Sequence, residues 1–125
     1  SLTLVGLAGS PMLDVWRTMG FTVAGEAFAD RRYESNGRLR SRHHADALID
    51  DPREAARQAV LLAVEGTVTS IDGSVIPCRA DTLCLHGDQP GALERVLTVR
   101  AALEAAGVAV RSLPGISGLP APPVT

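Results

Sequence analysis

Short apolar runs alternate with amphipathic segments along the chain, and glycine or proline marks most boundaries. Residues 2–8 form an apolar run that stops at Gly9, which is typical of a buried strand. Residues 11–19 then repeat apolar side chains at helical spacing, and residues 21–29 form a second apolar run. This order predicts two parallel strands joined by a crossover helix. The predicted apolar face of that helix is Met12, Val15, Trp16 and Met19.

The middle of the chain predicts a second helix and a hairpin. Asp51, followed by a proline, suits the cap of a helix that would end at Gly66. The dipeptide Asp72-Gly73 lies between the apolar residues 67–71 and 75–76, as in a tight hairpin turn. We expect this hairpin to lie outside the main sheet. The predicted apolar stripe of the helix is Ala56, Ala59, Val60, Ala63 and Val64.

The last third of the chain predicts a strand at residues 82–85, a long helix ending at Gly107 and a final strand at residues 108–110. Residues 113–125 contain half of the 8 prolines, and we expect a mobile tail there. The element order predicts an α/β fold with a mainly parallel sheet. Three or four strands with three helices close poorly on themselves, so the count favours half of a barrel. The long helix repeats apolar residues at Ala92, Val96, Val99, Leu103 and Ala106.

Composition narrows the function classes. The chain is 3% aromatic with a net charge of −2, which argues against nucleic-acid binding. Its longest apolar run, residues 59–64, is too short to cross a membrane, and no basic segment precedes residues 2–8 as in a signal peptide. The 2 cysteines form no disulfide framework, which favours a reducing cytoplasm. Because the chain starts at Ser1 without methionine, we expect part of a longer protein.

Polar residues gather after two predicted strands, where the loops of α/β proteins carry function. After the first of these strands come Asp30, Arg31, Arg32 and Tyr33. Glu26, inside the apolar strand, needs a partner if it is buried, and Arg31 or Arg32 could supply a salt bridge. Either guanidinium could instead hold a substrate carboxylate or phosphate with two hydrogen bonds.

The second polar segment is His86-Gly87-Asp88. Gly87 would let the backbone approach a ligand closely, and the following helix would offer free N–H groups to an anion. Asp88 suits the cap of that helix, a role that leaves one carboxylate oxygen for catalysis. His86 is either a hydrogen-bonded structural residue or, together with Cys84, a metal ligand. We expect His43 and His44 to be solvated.

Residues 25–33 (GEAFADRRY) and 84–92 (CLHGDQPGA) resemble two signatures of the LamB/YcsF family, E-x-FADR-x-Y and C-x-HGD-x-PGA. The resemblance extends from about Leu2 to Arg111. It implies that residues 1–112 form the carboxy-terminal half of an irregular (β/α) barrel of the glycoside hydrolase/deacetylase type, with a small β-hairpin excursion. The acidic amino-terminal half of the family, with its D-x-N-x-D-x-G-E motif, has no counterpart in the chain.

The resemblance also implies an activity, the ATP-dependent opening of 5-oxoproline to glutamate by the A subunit of 5-oxoprolinase. The implied partners are the B and C subunits and the missing amino-terminal half, and ATP with Mg²⁺ is expected at the level of the complex. The chain contains no lysine and no Walker-type loop, so it lacks the P-loop lysine. The expected catalytic residues are Asp30, His86 and Asp88. The expected substrate-binding residues are Glu26, Arg31, Arg32, Tyr33 and Gly87.

Two alternatives stay open at this point. A metal-dependent, deacetylase-like hydrolase would use His86 and Asp88 among its ligands. A noncatalytic half-barrel would instead bind a complementary chain through its exposed sheet edges.

Overall fold

The computed structural model describes residues 2–113, which contain five strands and three α-helices. Apart from Leu113, the expected tail at residues 113–125 lies outside the described residues. The strands within the described part are β1 (Thr3–Leu7), β2 (Thr22–Phe28), β3 (Thr67–Thr69), β4 (Val75–Pro77) and β5 (Thr82–Cys84). The α-helices there are α1 (Pro11–Thr18), α2 (Pro52–Val60) and α3 (Ala92–Ala105), and a π-helical turn (Leu61–Glu65) continues α2.

The main sheet has the order β1-β2-β5, and both pairings are parallel. Glu26 stands opposite Leu7 on one side and opposite Thr82 on the other. The mixed α/β class and the parallel sheet are therefore confirmed. Because neighbouring parallel strands end at one edge, the segments that follow β2 and β5 lie side by side.

Helix α1 begins as its sequence predicts, since the Ser10 side chain accepts a hydrogen bond from the Met12 N–H. Leu13 is buried, and Trp16 lies against β1 at Gly6, where a Cβ atom would stand 2.9 Å from the indole ring. The other predicted apolar positions, Met12, Val15 and Met19, are exposed within the described residues. The helix is confirmed, but most of its predicted buried face is not.

Helix α2 is capped by Asp51, whose side chain accepts from the Arg53 N–H, and its extension ends at Gly66 in the left-handed conformation (φ 66°). Both predictions are confirmed. Leu62 is buried, whereas Ala63 and Val64 are exposed, so the end of the predicted stripe is wrong. Leu62 packs in a different buried cluster from Ala59, together with Ala27 and Tyr33, so the stripe does not continue past Val60.

The structure also confirms the hairpin and its position outside the main sheet. β3 and β4 pair antiparallel in a separate sheet, with Gly73 in the turn at φ 90°. Asp72 accepts hydrogen bonds from the Ser70 hydroxyl and the Ser74 N–H. Hydrogen bonds from these two serines lower the pKa of Asp72 to about 2.

The last helix differs from its prediction at its start and on its buried face. Gly91, not Asp88, occupies the cap position of α3, because residues 87–91 turn before the helix begins. The buried side chains are Arg95, Val99 and Leu103, while Val96 is exposed. Residues 108–110 form no strand, and the strand predicted there is wrong. The side chains of Val108 and Val110 instead pack against the hydrophobic core.

Two clusters of buried side chains form the core. One joins α2 to α3, and Ala29 at the end of β2 belongs to it. The other lies around Ala27, Tyr33, Leu62 and Val68. The described residues contain no helix both long and apolar enough to cross a membrane.

Candidate active site

The paired ends of β2 and β5 bring Asp30 next to His86. The Ala29 N–H donates to the Cys84 carbonyl at 3.2 Å, which continues the pairing of the two strands past Phe28. The backbone N–H of His86 then donates to the Asp30 carboxylate at 2.8 Å, and His86 Nδ1 lies 3.0 Å from the same group. Asp30 is buried, so its charge is held in place by these two donors.

The surroundings of His86 define its tautomer. Arg42 Nη2 lies 3.3 Å from His86 Nε2. A guanidinium only donates hydrogen bonds, so in this arrangement Nε2 accepts and carries a lone pair. The proton of the neutral ring is then on Nδ1, where it is donated to Asp30. The imidazole is therefore oriented with its basic nitrogen away from the buried carboxylate.

Phe28 supports the imidazole from the side. Its ring stacks on His86 with the ring centroids 5.8 Å apart and the planes 15° apart. The guanidinium carbon of Arg31 lies 6.0 Å from the centroid of the same phenyl ring. Phe28 therefore connects the predicted residues Arg31 and His86, which belong to different strand ends.

Arg31 is buried, with 8% of its surface exposed. Its Nη2 donates to the Arg40 carbonyl at 2.8 Å, and its Nε has no acceptor among the described residues. Burial lowers the pKa of Arg31, and the nearby charge of Arg42 acts in the same direction. A buried cation with an unused N–H is a candidate for an anionic ligand.

Arg32 does not join this group, because both of its terminal nitrogens bond to the Glu54 carboxylate. The side-chain hydrogen bonds to Glu54 raise the pKa of Arg32. Glu26 forms no ion pair with Arg31 or Arg32, so the salt bridge expected for it is wrong. Glu54 pairs with Arg32 instead, because α2 presents it with the two-pronged geometry that guanidinium groups prefer.

Tyr33 lies in the core rather than at a ligand-facing surface, with 1% of its surface exposed. Its hydroxyl oxygen accepts from the Phe28 N–H at 3.0 Å, and burial raises the pKa of Tyr33 to about 12. Gln58 holds the same strand end from α2, since its side-chain amide donates to the carbonyls of Phe28 and Arg31 at 2.8 and 2.7 Å. Both residues position β2 rather than face a ligand.

A small cleft opens beside His86. Its interior holds about 10 Å³, roughly the space of one water molecule. Asp88 lines it and is exposed, while Gly87 is exposed and a Cβ atom there would meet nothing within 4 Å. This position is open, and the close approach of its backbone to a ligand stays a prediction. The charged residues that line the cleft are Asp30, Arg42, Asp50, His86, Asp88 and Arg95.

The described residues offer few side chains that could bind a metal ion together. No three His, Cys, Asp or Glu side chains within residues 2–113 converge to hold an ion. Burial raises the pKa of Cys84, and the charges of Glu26 and Asp30 add to the effect, which keeps the thiol protonated. His43 and His44 are exposed, as expected.

Four residues of this region were not predicted from the sequence: Phe28, Arg42, Gln58 and Arg95. A signal existed for Arg95, which precedes the apolar residues Val99 and Leu103 at helical spacing and therefore falls on the buried face of α3. Phe28 belongs to the E-x-FADR-x-Y signature of residues 25–33, although its stacking on His86 could not be read from it. The roles of Arg42 and Gln58 depend on contacts between distant segments, for which their local sequence carries no signal.

The model of the LamB/YcsF family matches residues 1–118. The chain is 51% identical over 111 residues to the 5-oxoprolinase A subunit of Chloroflexus aggregans and 47% identical over 112 residues to a 5-oxoprolinase A subunit of Agrobacterium fabrum. These matches cover 89% and 90% of the chain but 44% of each relative. The crystal structure of a lactam utilization protein from Thermus thermophilus superimposes with a TM-score of 0.82 at 43% identity, over 90% of the chain and 44% of that protein. The chain thus spans less than half the length of these relatives.

Proposed function

Since the chain belongs to the LamB/YcsF family, we propose that it forms the carboxy-terminal half of the A subunit of a 5-oxoprolinase. In this proposal it takes part in opening 5-oxo-L-proline to L-glutamate, coupled to ATP hydrolysis. The observation that carries the proposal is the buried Asp30 carboxylate bonded to His86, a histidine that lines a cleft. A carboxylate that orients an imidazole is a recurrent arrangement for moving a proton.

The reaction requires activation of an amide and delivery of water. Resonance makes the ring carbonyl of 5-oxoproline a poor electrophile, and ATP supplies activation by phosphorylating the carbonyl oxygen. His86 Nε2 accepts a proton from the attacking water, whose oxygen bonds to the carbonyl carbon. Asp30 stabilises the imidazolium that forms, and this imidazolium returns its proton to the ring nitrogen as the C–N bond breaks and the amine leaves. The acyl phosphate that remains is hydrolysed by a second water, which releases inorganic phosphate and completes L-glutamate.

The remaining proposed site residues divide by their surroundings. Asp88, exposed at the cleft, is proposed to orient the water together with His86. The proposed substrate-binding residues are Glu26, Arg31 and Gly87. Arg31 suits this role because its Nε has no acceptor among the described residues. Arg32 and Tyr33 are proposed to act indirectly, because their polar groups already bond to Glu54 and to the backbone of Phe28.

ATP with Mg²⁺ is assigned to the whole complex, with the B and C subunits as the proposed partners. Mg²⁺ is held by carboxylates together with phosphate oxygens. The described residues do not fit such a site, because the Asp30 carboxylate is bonded to His86 and no three candidate ligands converge. No step of the proposed mechanism therefore runs through a metal of this chain.

The two free thiols support the reducing, cytoplasmic setting expected from the sequence.

A complementary segment is proposed to complete an irregular (β/α) barrel of the glycoside hydrolase/deacetylase type. β1 has a neighbour on one side only in the described sheet. Large apolar side chains around that edge are exposed, namely Leu2, Val5, Met12, Val15, Met19 and Phe21. An open edge flanked by apolar surface favours association with further strands. The same surface supports the second candidate function, a noncatalytic half that binds a complementary chain.

The test is an assay of glutamate formation in a complex reconstituted from this chain, its complementary half and the B and C subunits. Asp30→Asn, Arg31→Ala, His86→Ala and Asp88→Asn are each compared with the unmodified chain. Near-normal turnover in all four variants would reject the site assignment. Activity without ATP that disappears on chelation would favour the metal-dependent hydrolase. A complex that assembles, measured by its mass on size exclusion, but lacks turnover would favour the noncatalytic half.

A further inference from the structure

Arg95 is a buried cation on the inner face of α3. Only 4% of its surface is exposed, and it shares this face with Val99 and Leu103. Its Nη1 donates to the carbonyl oxygens of Pro90 at 3.0 Å and Asp50 at 3.5 Å. These bonds fix one end of the guanidinium and leave Nε and Nη2 without a hydrogen-bond partner among the described residues.

The charge of Arg95 has no ionic partner within residues 2–113, where the ion pairs of arginine use Asp14, Glu34, Asp46, Glu54 and Glu104. Asp50 and Asp88 line the same cleft, but neither pairs with Arg95. Burial of an unpaired charge is costly. An anion entering the cleft would remove that cost.

The cleft has the size and the lining to take one oxygen atom of an anion. Its interior of about 10 Å³ suits a water-sized group. The charged lining comprises two guanidinium groups, the imidazole and three carboxylates, namely Arg42, Arg95, His86, Asp30, Asp50 and Asp88. Asp30 is already bonded to His86. Arg42 is exposed, and its side chain hydrogen-bonds only to His86 Nε2 among the described residues, so it is free to turn toward a ligand. Guanidinium groups bind carboxylate and phosphate oxygens in preference to neutral groups.

We propose that Arg95 and Arg42 form an oxyanion-binding subsite next to His86 Nε2, which accepts one oxygen of a carboxylate or phosphate group. Binding draws the Arg42 guanidinium from His86 to the anion and frees the lone pair of Nε2. The inference deepens the proposed function and rests on it only for the source of the anion. That source is the substrate carboxylate or a phosphoryl group.

Equilibrium titration of the 125-residue chain, without ATP turnover, tests the subsite. Inorganic phosphate and 5-oxo-L-proline are added in separate titrations, followed through the Nε–H resonance of Arg95 and the imidazole resonances of His86. Saturable shifts with phosphate identify a phosphoryl subsite, and saturable shifts with 5-oxo-L-proline identify a carboxylate subsite. Absence of saturable shifts with both compounds throughout the millimolar range overturns the proposal.

Variants then locate the binding. Arg95→Gln and Arg42→Gln should each weaken binding by roughly tenfold or more, because each removes a charge-assisted hydrogen bond. The matched control is Arg100→Gln, an exposed arginine of α3 paired with Glu104, which should bind like the unmodified chain. Equal affinity in the control and Arg42→Gln overturns the proposal. If Arg95→Gln fails to fold, the Arg95 resonance of the unmodified chain decides its role. Anion binding in a chain whose complex makes no glutamate would reject the proposed function and retain the subsite.

Discussion

His86 Nδ1 lies 3.0 Å from each oxygen of the Asp30 carboxylate, and the backbone N–H of His86 donates to one of those oxygens at 2.8 Å. The two residues are 56 positions apart in the chain. Their contact is produced by the parallel pairing of β2 with β5, which places the ends of both strands at one edge. Both residues lie in the segments just after these strands, so the paired strand ends fix where each segment begins.

Asp30→Asn should abolish most turnover of the reconstituted complex. The asparagine amide would donate to Nδ1 and so shift the ring proton to Nε2, which removes the lone pair that accepts the proton from water. We expect kcat to fall by about 100-fold or more with little change in KM. Initial rates of glutamate formation measure the effect. Asp14→Asn, an exposed aspartate of α1, is the control and should keep normal rates. An Asp30→Asn variant with unchanged kcat would contradict the role of the pair.

Phe28→Leu should weaken catalysis by releasing the imidazole. The leucine side chain would lose the stacked contact with His86 while leaving both catalytic groups in the chain. We expect a decrease in kcat of roughly 3- to 30-fold, with the ring-current shift of the His86 protons lost in the NMR spectrum.

The control for this change is Leu93→Ala, an exposed leucine of α3 that stacks on no ring among the described residues. Phe28→Tyr, which keeps the ring, should restore most of the rate. If Phe28→Leu lowers stability but leaves kcat and the His86 shifts unchanged, the phenylalanine has a packing role only.

Local chemistry explains which parts of the fold could be predicted. Asp51 and the following proline begin a helix because an aspartate caps free N–H groups and a proline suits the first turn. Gly73 allows the left-handed turn of the hairpin at φ 90°. The helix cap and the hairpin turn each depend on residues that are close together in the sequence, so both could be predicted from it. Placement of Asp30 and His86 at one edge also followed from the sequence, because parallel strands end together.

Competition between distant groups explains what could not be predicted. Glu26 and Glu54 were both available to Arg32, and only the folded packing of α2 decides in favour of Glu54. Asp88 suits a helix cap by residue type, but the turn at residues 87–91 delays the helix until Ala92. The apolar residues at 108–110 looked like a strand because packing against a helix and pairing in a sheet require the same residue types.

Gln58→Leu should destabilise the end of β2. The glutamine amide donates to the carbonyls of Phe28 and Arg31, and a leucine would leave these part-buried oxygens without that donor. We expect the free energy of unfolding to fall by about 1–3 kcal/mol. Urea denaturation followed by circular dichroism measures the change.

Arg57→Leu is the matched control for Gln58→Leu, since Arg57 is the preceding residue and is exposed. This substitution should change the free energy of unfolding by no more than about 0.5 kcal/mol. Equal midpoints for the two variants would show that the amide does not hold the strand end.

Tyr33 should make the fold sensitive to alkaline pH. Burial raises its pKa from 10.0 to about 12, so below pH 10 the phenol is protonated in both the folded and unfolded chain and its contribution is complete. As the pH rises from 10 to about 12, the unfolded chain loses this proton first, and the free energy of unfolding falls by up to about 1.4 kcal/mol per pH unit. Tyr33→Phe should reduce this slope, at a cost of about 1 kcal/mol at neutral pH because the Phe28 N–H loses its acceptor. Urea denaturation at several alkaline pH values measures both effects. Burial also raises the pKa of Cys78, but this thiol is present in both the unmodified protein and the Tyr33→Phe variant. Equal slopes in these two proteins would therefore contradict the assignment to Tyr33.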